Sequence, residues 1–296
     1  MGTDVQLDLL KRDDSLTVVN VASVPQRSVF RYPGGKTWFV PTFRQWMKSR
    51  SKKPRLLVEP FTGGGIIGLT AAFENLADKI LLVELDEYVA AVWAILIDGE
   101  AEKLAKKILT FDLTHENAKA ELEKAPKDTF QKAFQTILRN RVSHGGIMAP
   151  GSGLIKNGEN GKGITSRWYP ETLAKRIRDI ISVRERISFV HGSAFDVIDE
   201  HIDDPKAAFF VDPPYTAGGK NAGRRLYSHH ALDHNKLFDC FVGSGSDFIF
   251  TYDDSSDLQE MAKDRGFDHE LIAMKNTHNT VMSELIIGRN LKWLRR

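Results

Sequence analysis

Cysteine is nearly absent. Cys240 is the only one in 296 residues, which excludes an intramolecular disulfide and a zinc centre built from cysteines. It sits in the apolar stretch Leu237-Phe238-Asp239-Cys240-Phe241, where a packed helical position is expected. No run approaches the roughly 18–20 apolar residues of a membrane span. The opening stretch MGTDVQLDLLKRDDS has no hydrophobic signal region, and Gln6 stands where an acylation sequence opening Met-Gly needs Ser or Thr. These absences predict a cytoplasmic protein. Internal repeats and low-complexity tracts are missing too. With 42% apolar and 27% charged residues, the chain is expected to fold as a large domain, or as one domain with an insertion.

Acid is lacking locally rather than globally. The net charge is +2, yet Arg27 to Arg55 holds nine Lys or Arg and no Asp or Glu. Arg139 to Arg186 holds ten basic residues against four acidic ones, an excess of 10 − 4 = 6. Such tracts read equally as a polyanion footprint or as solvated faces.

The most telling stretch is Phe209-Phe210-Val211-Asp212-Pro213-Pro214-Tyr215. Ala207 to Val211 reads as a buried strand, and the two prolines hold the backbone stiff just past its end. Asp212 and Tyr215 then stand at the carboxyl edge of a sheet, where open α/β folds bind ligands. An acid, a free carbonyl and an aromatic face suit a planar amine. Asp212 and the Pro213 carbonyl can accept hydrogen bonds from an exocyclic NH2 while Tyr215 stacks on the ring.

Earlier in the chain, Arg55 to Glu59 reads as a strand, and Pro60-Phe61-Thr62-Gly63-Gly64-Gly65 as a glycine turn opening a helix at Ile66. Lys79 to Asp86 is a second strand ending in acid, placed where a Rossmann-type site puts a carboxylate for ribose hydroxyls. Glu84 is the better candidate and Asp86 the alternative; either could instead cap the helix Tyr88 to Leu96. Gly34-Gly35-Lys36-Thr37 looks like the end of a phosphate-binding loop, but Phe30 stands where that loop needs glycine. Trp38 to Lys48 has helical periodicity, Leu16 to Val21 reads as an edge strand, and Phe248 to Tyr252 and Ser283 to Gly288 read as closing strands.

Residues 98–186 break the β/α alternation. Ala101 to Lys124, Thr129 to Arg141 and Glu171 to Arg186 are expected as helices around a basic loop, Gly145 to Gly163. The predicted organisation is an arm at 1–26, a catalytic domain from 27–97 and 187–296, and a helical insertion at 98–186. His229, His230 and His234 lack a carboxylate or cysteine at metal-site spacing, so no metal is expected there.

Taken together, RYPGGK, EPFTGGG, the acid of LLVELD and FFVDPPY occur in the order seen in the Dam-like adenine-N6 DNA methyltransferases, and the chain resembles that family from about residue 27 to 290. Arg139-Asn140-Arg141 with His144-Gly145-Gly146, and Arg167-Trp168-Tyr169-Pro170, resemble its insertion. The resemblance implies an α/β, Rossmann-like S-adenosylmethionine-dependent methyltransferase fold with an inserted target-recognition region. It places Tyr32, Lys36, Glu84 and Asp212 at the methyl donor, with Phe61, Gly63 and Gly65 in its loop, and Asp212, Pro213, Pro214 and Tyr215 at the reacting amine. Arg139, Asn140, Arg141, Lys156, Lys162 and Arg167 become candidates for DNA contact. Glu84 departs from the family's usual Asp, and Gly192-Ser193 from a frequent Gly-Asp.

The expected partners are S-adenosylmethionine and double-stranded DNA, without a membrane, in a prokaryotic or phage setting. Alternatives are an RNA or cytosine-N4 methyltransferase and an inactive DNA-binding relative. Cytosine C5 chemistry is disfavoured because Cys240 follows Asp239 rather than proline. Recognition sequence, a role in restriction–modification, and monomer against weak dimer stay open.

Overall fold

The computed structural model describes residues 23–31, 35–146, 153–158, 161–214, 232–275 and 281–295. The expected edge strand at Leu16 to Val21 lies outside them. Seven strands form one sheet: β1 (Leu56–Glu59), β2 (Lys79–Glu84), β3 (Ile187–His191), β4 (Ala207–Val211), β5 (Asp247–Asp253), β6 (Asp268–Lys275) and β7 (Val281–Gly288). Their order is β3-β2-β1-β4-β5-β7-β6. Neighbours from β3 to β5 run parallel, whereas β7 is antiparallel to both β5 and β6.

The order reverses between β1 and β4, which lie side by side with Val58 opposite Phe209. Connections from these two strands leave toward opposite sides, so a crevice opens beyond their carboxyl ends. All five residues of β4 are buried, as its unbroken apolar run predicts for a strand covered on both faces.

Alternate side chains point to opposite faces and build two core layers. Leu57, Ile80, Leu82, Ala208 and Phe210 face one layer. Val58, Val83, Phe209, Val211 and Phe250 face the other. Helices α1 (Val40–Ser49), α2 (Ile66–Glu74) and α3 (Glu87–Asp98) cover the first, with α4 (Ala101–Thr110), α5 (His115–Leu122), α6 (Thr129–Val142) and α7 (Pro170–Ile181) packed around α3. Leu104, Ile108, Phe134, Ile177 and Ile180 thus share one core with Trp93 and Leu96. Helices α8 (Ala194–His201), α9 (His234–Phe241) and α10 (Ser256–Asp264) cover the other face. Cys240 is half-buried against that second layer, and burial pushes its thiol pKa up.

Two expected helices are shorter than their periodicity. The stretch from Ala101 breaks after Thr110, because Thr114 turns extended and its hydroxyl accepts the Asn117 N–H at 3.0 Å, capping a new helix. The one after Tyr169 ends at Ile181, and Arg184–Arg186 form a separate 3-10 turn. Strand β6 has no counterpart among the expected strands. It is an edge strand paired only to β7, and Asp268-His269-Glu270 opens it with charge.

Candidate functional site

The first wall of the crevice is the turn after β1. Thr62 ties it to β2: its hydroxyl donates to the Glu59 carbonyl (3.0 Å) and accepts the Val83 N–H (2.8 Å). Gly65 turns the chain into α2 with φ of 62°, a left-handed conformation that disfavours any side chain, and an added Cβ there would overlap the Trp93 ring. Trp93 fixes the loop by donating its indole N–H to the Gly63 carbonyl at 3.0 Å. At Gly68 the approach is as tight, since a Cβ would lie 2.6 Å from both Glu59 Oε2 and Leu82 Cδ2.

Two carboxyls sit under this loop. Glu84, at the end of β2, accepts the Gly63 N–H (2.8 Å) and the Asp86 N–H (2.9 Å). Asp86 itself caps α3, accepting from Tyr88 (2.9 Å) and Val89 (3.1 Å). The two acids therefore divide the alternatives: Asp86 starts the helix, and Glu84 faces the glycine turn. A carboxylate offers about four lone-pair sites, so Glu84 keeps acceptor capacity beside these two bonds. Burial pushes its pKa up to about 7, against the lowering pull of the backbone N–H groups. Glu59 is buried with its Oε2 accepting the Gly68 N–H at 2.7 Å. Burial pushes it up to about 8, with Asp212 and Glu84 adding repulsion.

A carboxyl with a raised folded pKa contributes stability below its ordinary value of 4.5 and loses that contribution as pH rises through its folded value. The melting temperature is therefore expected to fall from about pH 5 to about pH 9, and to fall less in Glu59→Gln. An equal slope in variant and wild type would show that Glu59 does not titrate in this range.

The second wall is the end of β4. Asp212 Oδ1 lies 3.1 Å from Lys36 Nζ and accepts the Thr251 hydroxyl at 2.9 Å. Lys36 also meets Glu284 Oε1 at 2.7 Å. Lys36 is 4% exposed and Glu284 5%, whereas Asp212 keeps 22% of its side chain open. Burial would lower the Lys36 pKa, but the two carboxylates overcome it and leave the ammonium raised above its usual range. Glu284 reaches this edge because β7 runs antiparallel to β5, with Glu284 opposite Asp253. Beyond Thr251, the buried Tyr252 hydroxyl lies 3.0 Å from His234 Nδ1, and its pKa is raised by burial and then by Asp212. Pro213 is buried and Pro214 half-buried after Asp212.

Lys36, Glu84, Asp212, Pro213 and the Phe61, Gly63 and Gly65 turn are thus gathered at one sheet edge; Tyr32 and Tyr215 lie outside the described residues. Glu284 and Thr251 are additions that sequence reading missed. His229 and His230 also lie outside the described residues, and among the described residues no three His, Cys, Asp or Glu form a group able to hold a metal. Gly192 N donates to the Glu84 carbonyl (3.1 Å), and Ser193 caps α8 through the Phe195 N–H (3.2 Å).

The basic residues divide sharply. Lys156 and Lys162 are exposed, Arg139 and Arg167 half-buried. Asn140 and Arg141 are not on the surface, at 0% and 4% exposure. Asn140 pairs with the Arg31 backbone and Arg141 with the Val29 carbonyl. Five members of the 27–55 tract pair with acids elsewhere in the chain: Arg27 and Arg44 with Glu74, Arg50 with Asp247, Lys53 with Asp78, Arg55 with Asp204. Much of its missing acid is supplied by other segments, while Lys48 and Lys52 stay exposed.

The family model described as D12 class N6 adenine-specific DNA methyltransferase matches residues 32–267, more than half the chain. A search of curated protein sequences found no match. Among solved structures, a precorrin-6y C5,15-methyltransferase from Geobacter metallireducens shares 11% identity at TM-score 0.38, covering 93% of each chain. An rRNA methyltransferase from Streptomyces viridochromogenes shares 12% at TM-score 0.37, covering 94% of this chain and 93% of that one. A human methyltransferase 10 domain containing protein shares 10% at TM-score 0.37, covering 96% and 92%. The sheet order, the glycine turn and the acid after β4 are those of a Rossmann-like methyltransferase, and the extent of the family match makes this chain a member of the D12 class N6 adenine-specific DNA methyltransferases.

Proposed function

We propose that the chain transfers a methyl group from S-adenosylmethionine to the exocyclic N6 of an adenine flipped out of double-stranded DNA. One observation carries this reading. Asp212 is held at the end of the central strand, across the switch point from the glycine turn, by Lys36 and Thr251 while part of its carboxylate stays open. The residues present fit the donor by their chemistry: the turn from Gly63 to Gly65 carries no side chains, and Glu84, which accepts the Gly63 N–H at 2.8 Å, keeps acceptor capacity for ribose hydroxyls.

When bound, S-adenosylmethionine supplies a methyl group already activated on a sulfonium. What remains is to make a poor nucleophile attack, since the adenine amino lone pair is delocalised into the ring. Asp212 and the Pro213 carbonyl accept the two amino N–H bonds and localise that lone pair toward the methyl group. These acceptors are fixed before reaction, so little reorganisation is needed. Pro214 stiffens the turn, and Tyr215 is assigned the stacking face for the flipped base. Residues 98–186 are assigned to target recognition, with Arg139, Lys156, Lys162 and Arg167 at the phosphates.

The test is transfer of labelled methyl from S-adenosylmethionine to unmethylated duplex DNA, followed by nucleoside analysis. N6-methyladenine is the expected product. Label in RNA alone, or in cytosine, would overturn the substrate, and failure to bind the donor would overturn the enzyme reading.

A further inference from the structure

The segment Arg27 to Arg31 runs past the glycine turn without joining the sheet, and side chains from three directions hold its backbone. Ser28 Oγ donates to the Gly64 carbonyl at 2.5 Å. The Ser28 carbonyl accepts Arg176 Nη1 at 2.9 Å, and the Val29 carbonyl accepts Arg141. Asn140 holds Arg31 at both ends of its backbone: Oδ1 accepts the Arg31 N–H (2.8 Å) and Nδ2 donates to the Arg31 carbonyl (2.9 Å). The same Nδ2 donates to the Gly146 carbonyl at 3.1 Å. Val29 and Phe30 are buried beneath, with the Phe30 ring 6.4 Å from that of Trp93, which anchors Gly63.

Only a primary amide does this. It offers an acceptor and donors from one planar group, so it meets the Arg31 N–H and the Arg31 carbonyl together. An aspartate would keep the Arg31 N–H but set a negative oxygen against two carbonyls. Burying arginine guanidiniums is costly, and burial lowers the Arg141 pKa to about 9, with Arg176 and Arg31 adding repulsion. Such cost argues for a defined structural task.

We propose that Asn140, supported by Arg141 and Arg176, is a positioning residue for the methyl donor: the inserted helices α6 and α7 set the course of Arg27 to Arg31 against the glycine turn and so deliver the chain to Lys36. This rests on the reading that the donor binds at that turn. It assigns to the donor side Asn140 and Arg141, two residues that the family resemblance offered for DNA contact.

The experiment compares wild type with Asn140→Asp, near-identical in size, by calorimetric titration with S-adenosylmethionine and by steady-state kinetics, with thermal melts reporting the fold. Donor Kd and donor KM are expected to rise about tenfold, from loss of buried hydrogen bonds, while the KM for DNA changes less than about twofold. Should Asn140→Asp fail to fold, Arg176→Met removes a half-buried contact on the same segment, and a rise of about threefold in donor KM is expected. Unchanged donor binding in a folded variant, or weakened DNA binding alone, overturns the inference. A wild type that binds no S-adenosylmethionine would instead overturn the reading of the turn as the donor site.

Discussion

Asp212→Ala is expected to slow methyl transfer by about a hundred- to a thousandfold, with melting temperature and DNA binding close to wild type. The magnitude follows from what the carboxylate does. In the proposed reaction it receives an N–H bond that strengthens as the amine becomes a nucleophile, so its loss would fall on the transition state. The fold should survive because Asp212 is partly open, and Lys36 retains Glu284 at 2.7 Å when Asp212 is gone. Asp212→Asn is the sharper comparison. The amide keeps one acceptor but would turn an NH2 toward Lys36 or the substrate, and should recover only part of the loss. Single-turnover rates at saturating donor and DNA decide the matter, and a wild-type rate in Asp212→Ala would remove Asp212 from the reaction.

Lys36→Met has the largest expected effect on stability. It leaves Glu284, 5% exposed, facing Asp212 with no cation between them. Removing one partner of a buried ion pair costs about 3–5 kcal/mol, because the remaining charge has neither water nor a counterion. For a chain of this size that corresponds to a drop on the order of 10 °C in melting temperature. Lys36→Met combined with Glu284→Gln should regain part of the loss, the mark of two residues acting as a unit. The raised ammonium keeps its charge across ordinary pH, since a lysine held above its usual value loses its contribution only as pH climbs through the folded value. The urea midpoint of Lys36→Met should therefore lie below wild type throughout from about pH 6 to about pH 9. A midpoint equal to wild type would mean that the three charges are not coupled.

The parts of this site legible in the sequence are those carried by short contiguous runs. Phe209 to Val211 announced a buried strand because both of its faces are covered, and the prolines marked its end. Glu84 could be separated from Asp86 only by seeing which one turned onto the helix. Glu284 was not legible. It lies in Ser283-Glu284-Leu285, where an acid at a strand start reads as solvent-facing, and its partner Lys36 is 248 positions away. Thr251 was lost in the same way, inside an apolar strand whose hydroxyl-bearing member looks like a neutral filler. Asn140 and Arg141 misled in the opposite direction. Polar residues at a helix end beside glycines read as a surface, and only the backbone groups of Val29 and Arg31 that they bind show why they turn inward. In the basic tract from Arg27 to Arg55 the ion pairs were not legible either, because their acidic members come from α2, β5 and the turns before β2 and β4.

One consequence of the Lys36–Asp212–Thr251–Glu284 cluster concerns when the protein becomes an enzyme. Its members come from near one end of the chain, from two middle strands and from the last strand of the sheet. Such long-range closure comes late in folding, after local helices and the parallel core have formed. A chain emerging from the ribosome can therefore complete its glycine turn and much of its core before β7 exists, yet it lacks the carboxylate that seats Lys36. Competence for methyl transfer therefore waits for the final strand.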